Sequence, residues 1–413
     1  MDAAAIEQPR NAEDFEYAVQ MTRWLLQPLG IWPLKPSSRV ALVLRPVSVG
    51  VCVFLLAFLL VPCCLHMFLI EKDIGVRLKM IGPLSFCLMN IFKYLAMLAK
   101  NATVASCIAN MARDWHEVAS AEYRRIYLEN AKTARLFTTV CALFMYGGGL
   151  PYSTILPLTR EAIVLGNRTF NHLAYPSYFI FFNPHVRPIY DLVFVTHCLC
   201  GFVMYSVTCG VCSIAILCIM HICSQCNVTS AMLQALPSSL DERSCSAIVR
   251  HHLRSLRFAS KLEEILNEMC IVELLGCTFN ICMLGYYFLT EYEQSEMIGT
   301  ITYSLLLISL TFNIFIFCYI GDLLTENCQS LGGVAYTIDW YGLASVEARS
   351  IILIIASTQR PVVLTAGKMV TLSIQSFCNV NRRSKFTPDS LCFFRRCSFD
   401  SSNCRWSKLL PRT

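Results

Sequence analysis

Seven apolar stretches, poor in charge and mostly too long for a soluble core, confine this chain to a polytopic membrane architecture. Residues 47–70 carry no formal charge, and 80–99 are interrupted only by Lys93. Residues 136–158 form a third uncharged stretch. Residues 192–223 form a fourth, which as a helix would run roughly 48 Å against a hydrocarbon core of about 30 Å. That helix is expected to project beyond the bilayer. Residues 274–290 and 297–321 follow. The seventh stretch is broken: 348–358 is apolar but short, Pro361 follows, and 362–380 is apolar again. Proline removes a donor and clashes with the preceding turn, so two helical segments separated by a hinge are expected. The fold class is therefore all-α, with seven transmembrane helices and the seventh broken.

Flanking charge sets the orientation, because basic residues collect on the cytoplasmic side. Arg10, Arg23, Lys35, Arg39 and Arg45 precede the first span. Lys100, Arg113, Arg124, Arg125, Lys132 and Arg135 occupy the second loop, and Arg243, Arg250, Arg254, Arg257 and Lys261 the fourth. The alternate loops are poorer, with no basic residue at all in 291–296. The N-terminus is therefore expected in the cytoplasm and, after seven spans, residues beyond the last span outside. No cleavable leader is legible before Val47, so the first span is expected to act as its own insertion signal. In the predicted external loop, Asn167-Arg168-Thr169 is a candidate glycosylation site; Asn101 and Asn227 fall on the predicted inner side.

Only 15% of residues are charged, against about 25% in soluble domains. The net charge of +6 belongs to residues 381–413, and nothing elsewhere resembles a nucleic-acid-binding surface. Twenty-three cysteines would suit a disulfide scaffold, but most sit inside apolar stretches, where they serve as small packing residues. Two pairs have redox or zinc spacing, Cys209 with Cys212 and Cys223 with Cys226, and neither has a second matching pair. No nucleophile elbow or His-Glu-x-x-His is present, so no enzyme is expected. Gly147-Gly148-Gly149 lacks the Lys-Ser/Thr of a phosphate loop and reads as a place of close helix approach. In the fourth loop Leu262, Ile265, Leu266 and Met269 recur at helical spacing, which suits a membrane-surface helix, a partner face or packing within the chain. Lys93 is expected to snorkel to the headgroups, and His197 to form an interhelical hydrogen bond.

Several stretches resemble the insect odorant receptor family. They are Tyr336 to Tyr341 with Asp339-Trp340, Ile351 to Ile355, and Pro361 to Lys368. Tyr175-Pro176-Ser177-Tyr178 with Phe181-Phe182-Asn183, Trp24 with Trp32-Pro33, and Cys318 to Asp322 add to them. The resemblance covers roughly residues 1–380 and divides the chain into a cytoplasmic segment 1–46, a seven-helix membrane domain 47–380 and a basic tail 381–413. It implies an odorant-gated cation channel subunit in the plasma membrane of olfactory sensory neurons. It also implies a heterotetramer with a shared co-receptor, in contact with membrane lipid, with no cofactor. The ligand is a volatile small-molecule odorant, held in the outer half of the bundle.

Outer-half position and aromatic character then select Phe86, Met89, Tyr146, Tyr152, Phe202, Tyr205, Tyr286 and Tyr303 for the pocket. The pore wall is expected from Thr371, Ser373, Ile374, Phe377 and Val380. Past Val380 the apolar helix of the family gives way to a polar basic tail, which puts conduction in question and leaves a non-conducting splice or gene-model variant as an alternative. A G-protein-coupled receptor would need an external N-terminus. A transporter would need a matching broken span in a repeated half.

Overall fold

A computed structural model describes residues 2–33, 39–118, 120–159, 163–165, 168–170, 172–184, 186–236, 242–338, 340–342, 345–360 and 362–383. Asn167 and the tail beyond 383 lie outside the described residues.

Long helices account for nearly all of it. α1 (Asp2–Leu26) lies at one end of the bundle, and α2 (Arg39–Leu65) runs on through a π turn at His66–Ile70. Next come α3 (Ile74–Ala99), α4 (Asn101–His116) and α5 (Ala121–Thr159). A short antiparallel hairpin, β1 (Ile163–Leu165) with β2 (Arg168–Phe170), precedes α6 (Ile189–Gln234). α7 (Glu242–Glu293), α8 (Met297–Thr337) and α9 (Ser345–Thr358) follow. The chain closes with a hairpin, β3 (Thr365–Ala366) and β4 (Val370–Thr371), and α10 (Ile374–Arg383).

Among the described residues, five helices, α2, α3, α6, α7 and α8, are long and apolar enough to cross a membrane. α5 carries the stretch 136–158, but Gly147 to Gly149, Pro151, Pro157 and several hydroxyl residues dilute its apolarity. The fourth stretch does extend beyond a bilayer: α6 has 46 residues, about 69 Å at the helical rise. It is apolar on every side, and a helix of that kind belongs in the interior. Of its most apolar eighteen-residue window, 94% is buried, because α1, α2, α3, α5, α7 and α8 all pack around it.

The loops between spans are helical extensions. Leu262, Ile265, Leu266 and Met269 are buried within α7, so that stripe is a packing face inside the chain. The twenty described cysteines are free, and most are buried among apolar side chains.

Two expectations need correction. Residues 362–380 do not form one helix: β3 and β4 pair antiparallel with Ala366 opposite Val370. Gly367 (φ 62°) and Lys368 (φ 56°) make the turn, two successive left-handed residues as a tight hairpin requires. Only from Ile374 does helix resume. Ser373 Oγ accepts from Ser376 N at 3.1 Å, and Asp322 Oδ2 of α8 accepts from Ile374 N at 2.7 Å. Together they satisfy backbone donors that a helix start leaves open. Lys368 is exposed at the turn.

Lys93 does not snorkel. It is fully buried, with Nζ 2.8 Å from Glu273 Oε2 on α7 and 2.8 Å from Thr208 Oγ1 on α6. A lysine turned into the packed bundle has no path to headgroups and takes a carboxylate instead.

A candidate ligand cavity

At the end of the bundle away from α1, two adjoining cavities share Pro83, Tyr152, Tyr175 and Tyr303 as common wall. The outer one has a volume of about 320 Å3 and opens between α2, α3 and α5, with Leu59, Lys79, Met80 and Leu156 in its lining. The inner one, about 50 Å3, is lined by Phe86, Met145, Met204, Tyr205 and Tyr287, with Leu306 and Leu310 from α8.

Small residues let the walls approach. A Cβ on Gly149 would lie 2.3 Å from the Tyr205 ring, and one on Gly148 would lie 3.0 Å from the Leu305 carbonyl oxygen. The glycine run is therefore where α5 meets α6 and α8 most closely, as its sequence suggested. Tyr205 Oη donates to Gly149 O at 2.8 Å.

Across the cavity, Tyr287 enters the backbone of α3. Its hydroxyl accepts from Gly82 N at 3.1 Å and donates to Leu78 O at 2.5 Å. These two groups are four residues apart and are helical partners, so α7 supplies a side chain that bridges a turn of α3 just before Pro83. A group inserted into a helical ladder beside proline is a standard source of local bending.

The lid comes from the segment before α6. Leu173, Ala174 and Tyr175 are buried, and Tyr178 N donates to Pro62 O at 3.0 Å. His197 is buried on α6, with Nε2 3.4 Å from Ser177 Oγ. The expected interhelical bond of His197 is thus a bond to this segment. The Tyr175 ring lies 5.9 Å from Tyr152, which lies 6.2 Å from Tyr303, itself 5.7 Å from Tyr287. Tyr175, Tyr152 and Tyr303 thus form a continuous aromatic seam between the two cavities, which Tyr287 extends along the inner one.

Ser309 and Asn280, which face the inner cavity, already have protein partners. Ser309 Oγ donates to Phe144 O at 2.6 Å. Asn280 Nδ2 donates to Gly276 O at 2.8 Å and its Oδ1 accepts from Ser85 Oγ at 3.0 Å. In the outer cavity, Lys79 Nζ sits 3.2 Å from Glu291 Oε1.

Of the eight residues selected from sequence, Phe86, Tyr152, Tyr205 and Tyr303 line the cavities. The other four are not among the lining residues. Met89 is buried against Gly276 of α7. Phe202 is 48% exposed on the outer face of α6, its ring 5.4 Å from that of Tyr146. Tyr146 is hydrogen-bonded to Ser206 at 2.7 Å, and Tyr286 is displaced by its neighbour Tyr287. One signal would have favoured Tyr287. Glu273, Cys277, Asn280, Leu284, Tyr287 and Glu291 recur every three or four residues, and a polar stripe on a membrane helix faces the interior.

About 10 Å below the cavity, two helical turns along α3 from Phe86, lies the buried network around Lys93. Thr208 Oγ1 donates to Asn90 Oδ1 at 2.8 Å. Cys277 Sγ donates to Glu273 Oε1 at 3.0 Å, and Asn313 Nδ2 of α8 donates to the same oxygen. The network therefore ties α3, α6, α7 and α8 together. Just beyond it on α7, Gly367 N of the β3–β4 turn donates to Asn267 O at 3.0 Å.

The pore candidates fall in this last region. Thr371 is exposed in β4, Ser373 caps α10, and Ile374 is exposed at the start of α10. Phe377 turns toward α8, 5.5 Å from Phe315. The side chain of Val380 lies outside the described residues.

Residues 74–384 match the family model described as 7tm Odorant receptor. Odorant receptor 13a of Drosophila melanogaster is 28% identical over 154 residues, 34% of this chain and 36% of that protein. The odorant receptor coreceptor of Aedes aegypti is 26% identical over 133 residues, 32% of this chain and 27% of that protein. These alignments thus span about a third of the curated relatives' length. The solved olfactory receptor OR5 of the insect Machilis hrabei superposes with a TM-score of 0.74, covering 92% of this chain and 98% of its own, at 15% identity. Its complex with eugenol gives 0.71. At such identity the likeness is one of fold.

Proposed function

The chain belongs to the 7tm odorant receptor family, and on that premise we propose that it is the ligand-sensing subunit of an odorant-gated, non-selective cation channel. It assembles with a shared co-receptor in a heterotetramer, in the plasma membrane of olfactory sensory neurons. It crosses the membrane seven times with its N-terminus in the cytoplasm, and it has no enzymatic role. The reading rests chiefly on the aromatic cavity, whose inner wall is largely apolar and where Ser309, Asn280, Tyr205 and Tyr287 are already bonded to protein. Such a site suits a small volatile molecule held by contact area. The complex of the similarly folded OR5 with eugenol supports a ligand of that size.

A ligand passing the Tyr175–Tyr152–Tyr303 seam enters between α3, α5, α6, α7 and α8. It shifts the closed–open equilibrium only through different affinities for the two states. The Tyr287 bridge and the Lys93–Glu273 pair join α3 to α7, and α7 leads from the cavity to the β3–β4 turn; α10 follows that turn into the pore, where Thr371, Ser373, Ile374, Phe377 and Val380 are the candidate lining.

Co-expression with the co-receptor, followed by whole-cell recording against an odorant panel, tests this. An odorant-evoked cation current that vanishes without this chain is expected. Absence of current despite confirmed surface delivery of the native transcript product would overturn it.

A further inference from the structure

At the opposite end of the molecule, α4 and α7 enclose a third cavity of about 220 Å3, whose lining includes Asn110, Arg113, Asp114, Arg254, Arg257 and Lys261. Four cations face one carboxylate. That carboxylate is already committed: Asp114 Oδ2 accepts from His221 Nε2 at 3.0 Å and Gln225 Nε2 at 2.6 Å, and Oδ1 accepts from Arg254 Nη1 at 3.1 Å. Arg254 also pairs with Glu117, and Lys261 Nζ donates to Ser106 Oγ at 3.3 Å. Among the described residues, neither Arg113 nor Arg257 has a hydrogen-bond or ion-pair partner. A concave site with excess charge of one sign focuses potential and concentrates the opposite ion.

We propose that this cavity binds a small polyol carrying two or more phosphate groups, an inositol phosphate either free or as a lipid headgroup. With Asp114 and Glu117 counted against the four cations, the surplus is roughly two positive charges, and the unpaired Arg113 and Arg257, one on each helix, offer separate forks to two phosphate groups. Arginine forks suit phosphate oxygens in paired contacts. Lys261 lies about 18 Å along α7 from Glu273, outside the apolar stretch that begins at residue 274. The site therefore takes a soluble headgroup, and not an acyl chain. Because Arg113 comes from α4 and the other three cations from α7, the ligand bridges the two helices, and α7 continues directly into the odorant cavity wall.

The test uses purified full-length protein in phosphatidylcholine nanodiscs. In one arm, radiolabelled inositol 1,4,5-trisphosphate is titrated; in the other, phosphatidylinositol 4,5-bisphosphate in the disc is compared with phosphatidylserine by thermal stability. Binding in the first arm assigns a free ligand, and stabilisation in the second alone assigns the lipid headgroup. The Arg113→Ala/Arg257→Ala variant removes two exposed, unpartnered cations and is expected to weaken either response about thirtyfold, at ~1 kcal/mol for each cation. Its melting midpoint without ligand is expected to match the unsubstituted protein. Responses no greater than those to myo-inositol and phosphatidylserine, or an unchanged response in the double variant, would overturn the proposal.

Discussion

Lys93 and Glu273 illustrate what a residue-by-residue reading could and could not reach. Lys93 was visible as the one charge interrupting an apolar stretch and Glu273 as the residue just before another, but their pairing depends on how α3 and α7 pack, which no local pattern encodes. Removing one partner leaves the other charged, buried and unpaired, at a cost of about 3–5 kcal/mol, whereas replacing both by apolar residues of similar volume is commonly tolerated. Lys93→Met or Glu273→Met alone is therefore expected to lower surface delivery and thermal stability, with the double variant recovering most of both. A double-mutant cycle on melting temperature checks this, and additive losses would show that the two groups act independently. The glycine run was better legible, since three glycines in an apolar stretch already imply close approach. Gly149→Ala would drive a methyl group against the Tyr205 ring and break its bond to the Gly149 carbonyl. Overpacking of this kind costs about 1–3 kcal/mol. We expect a shifted odorant dose–response with smaller effects for Gly147→Ala, where nothing lies within 4 Å. Equal responses for the two variants would count against a cavity at this position.

Among the elements, the helices were read well and the last connection was not. Long uncharged stretches announce themselves by length, so α2, α3, α6 and α8 followed from the sequence with extensions at their ends. The β3–β4 hairpin escaped because its strands are two residues each, too short to show an alternating pattern. α9 is fastened to α7 by His252 Nε2 and Ser357 Oγ at 2.8 Å, and this contact carries a pH dependence. Burial holds the His252 imidazole below its ordinary value of 6.5. For His251, burial likewise lowers the value, against an opposing pull from Asp114. Well above that value both folded and unfolded chains are neutral at these groups. As pH falls through it, the unfolded state takes up protons that the folded state resists, and stability is lost down to the lowered folded values. The hydrogen-exchange protection of α9, corrected for the intrinsic pH dependence of amide exchange, is expected to fall as pH drops below about 6.5. His252→Asn should flatten that change; an unaltered pH response in the variant would exclude this contact as its source.

At the scale of the whole molecule, the threading through the membrane was argued from arginines and lysines alone. Epitope tags before Val47 and in the segment 172–184 test it. Antibody access on unpermeabilised cells is expected for the second tag only, and staining of the first would reverse the orientation. Which face of each helix turns inward was less legible: Tyr286 and Tyr287 differ by one residue, and tertiary packing chose between them. The division of labour in the cavity has an evolutionary consequence. The hydroxyls of Tyr205, Tyr287 and Ser309 and the amide of Asn280 are spent on holding neighbouring backbone, so under the proposed function discrimination among volatiles falls largely to bulk and outline, where one methylene is worth about 1–3 kcal/mol. A lineage can then drift in chemical taste by exchanging one apolar side chain for another, leaving the skeleton that carries the signal untouched.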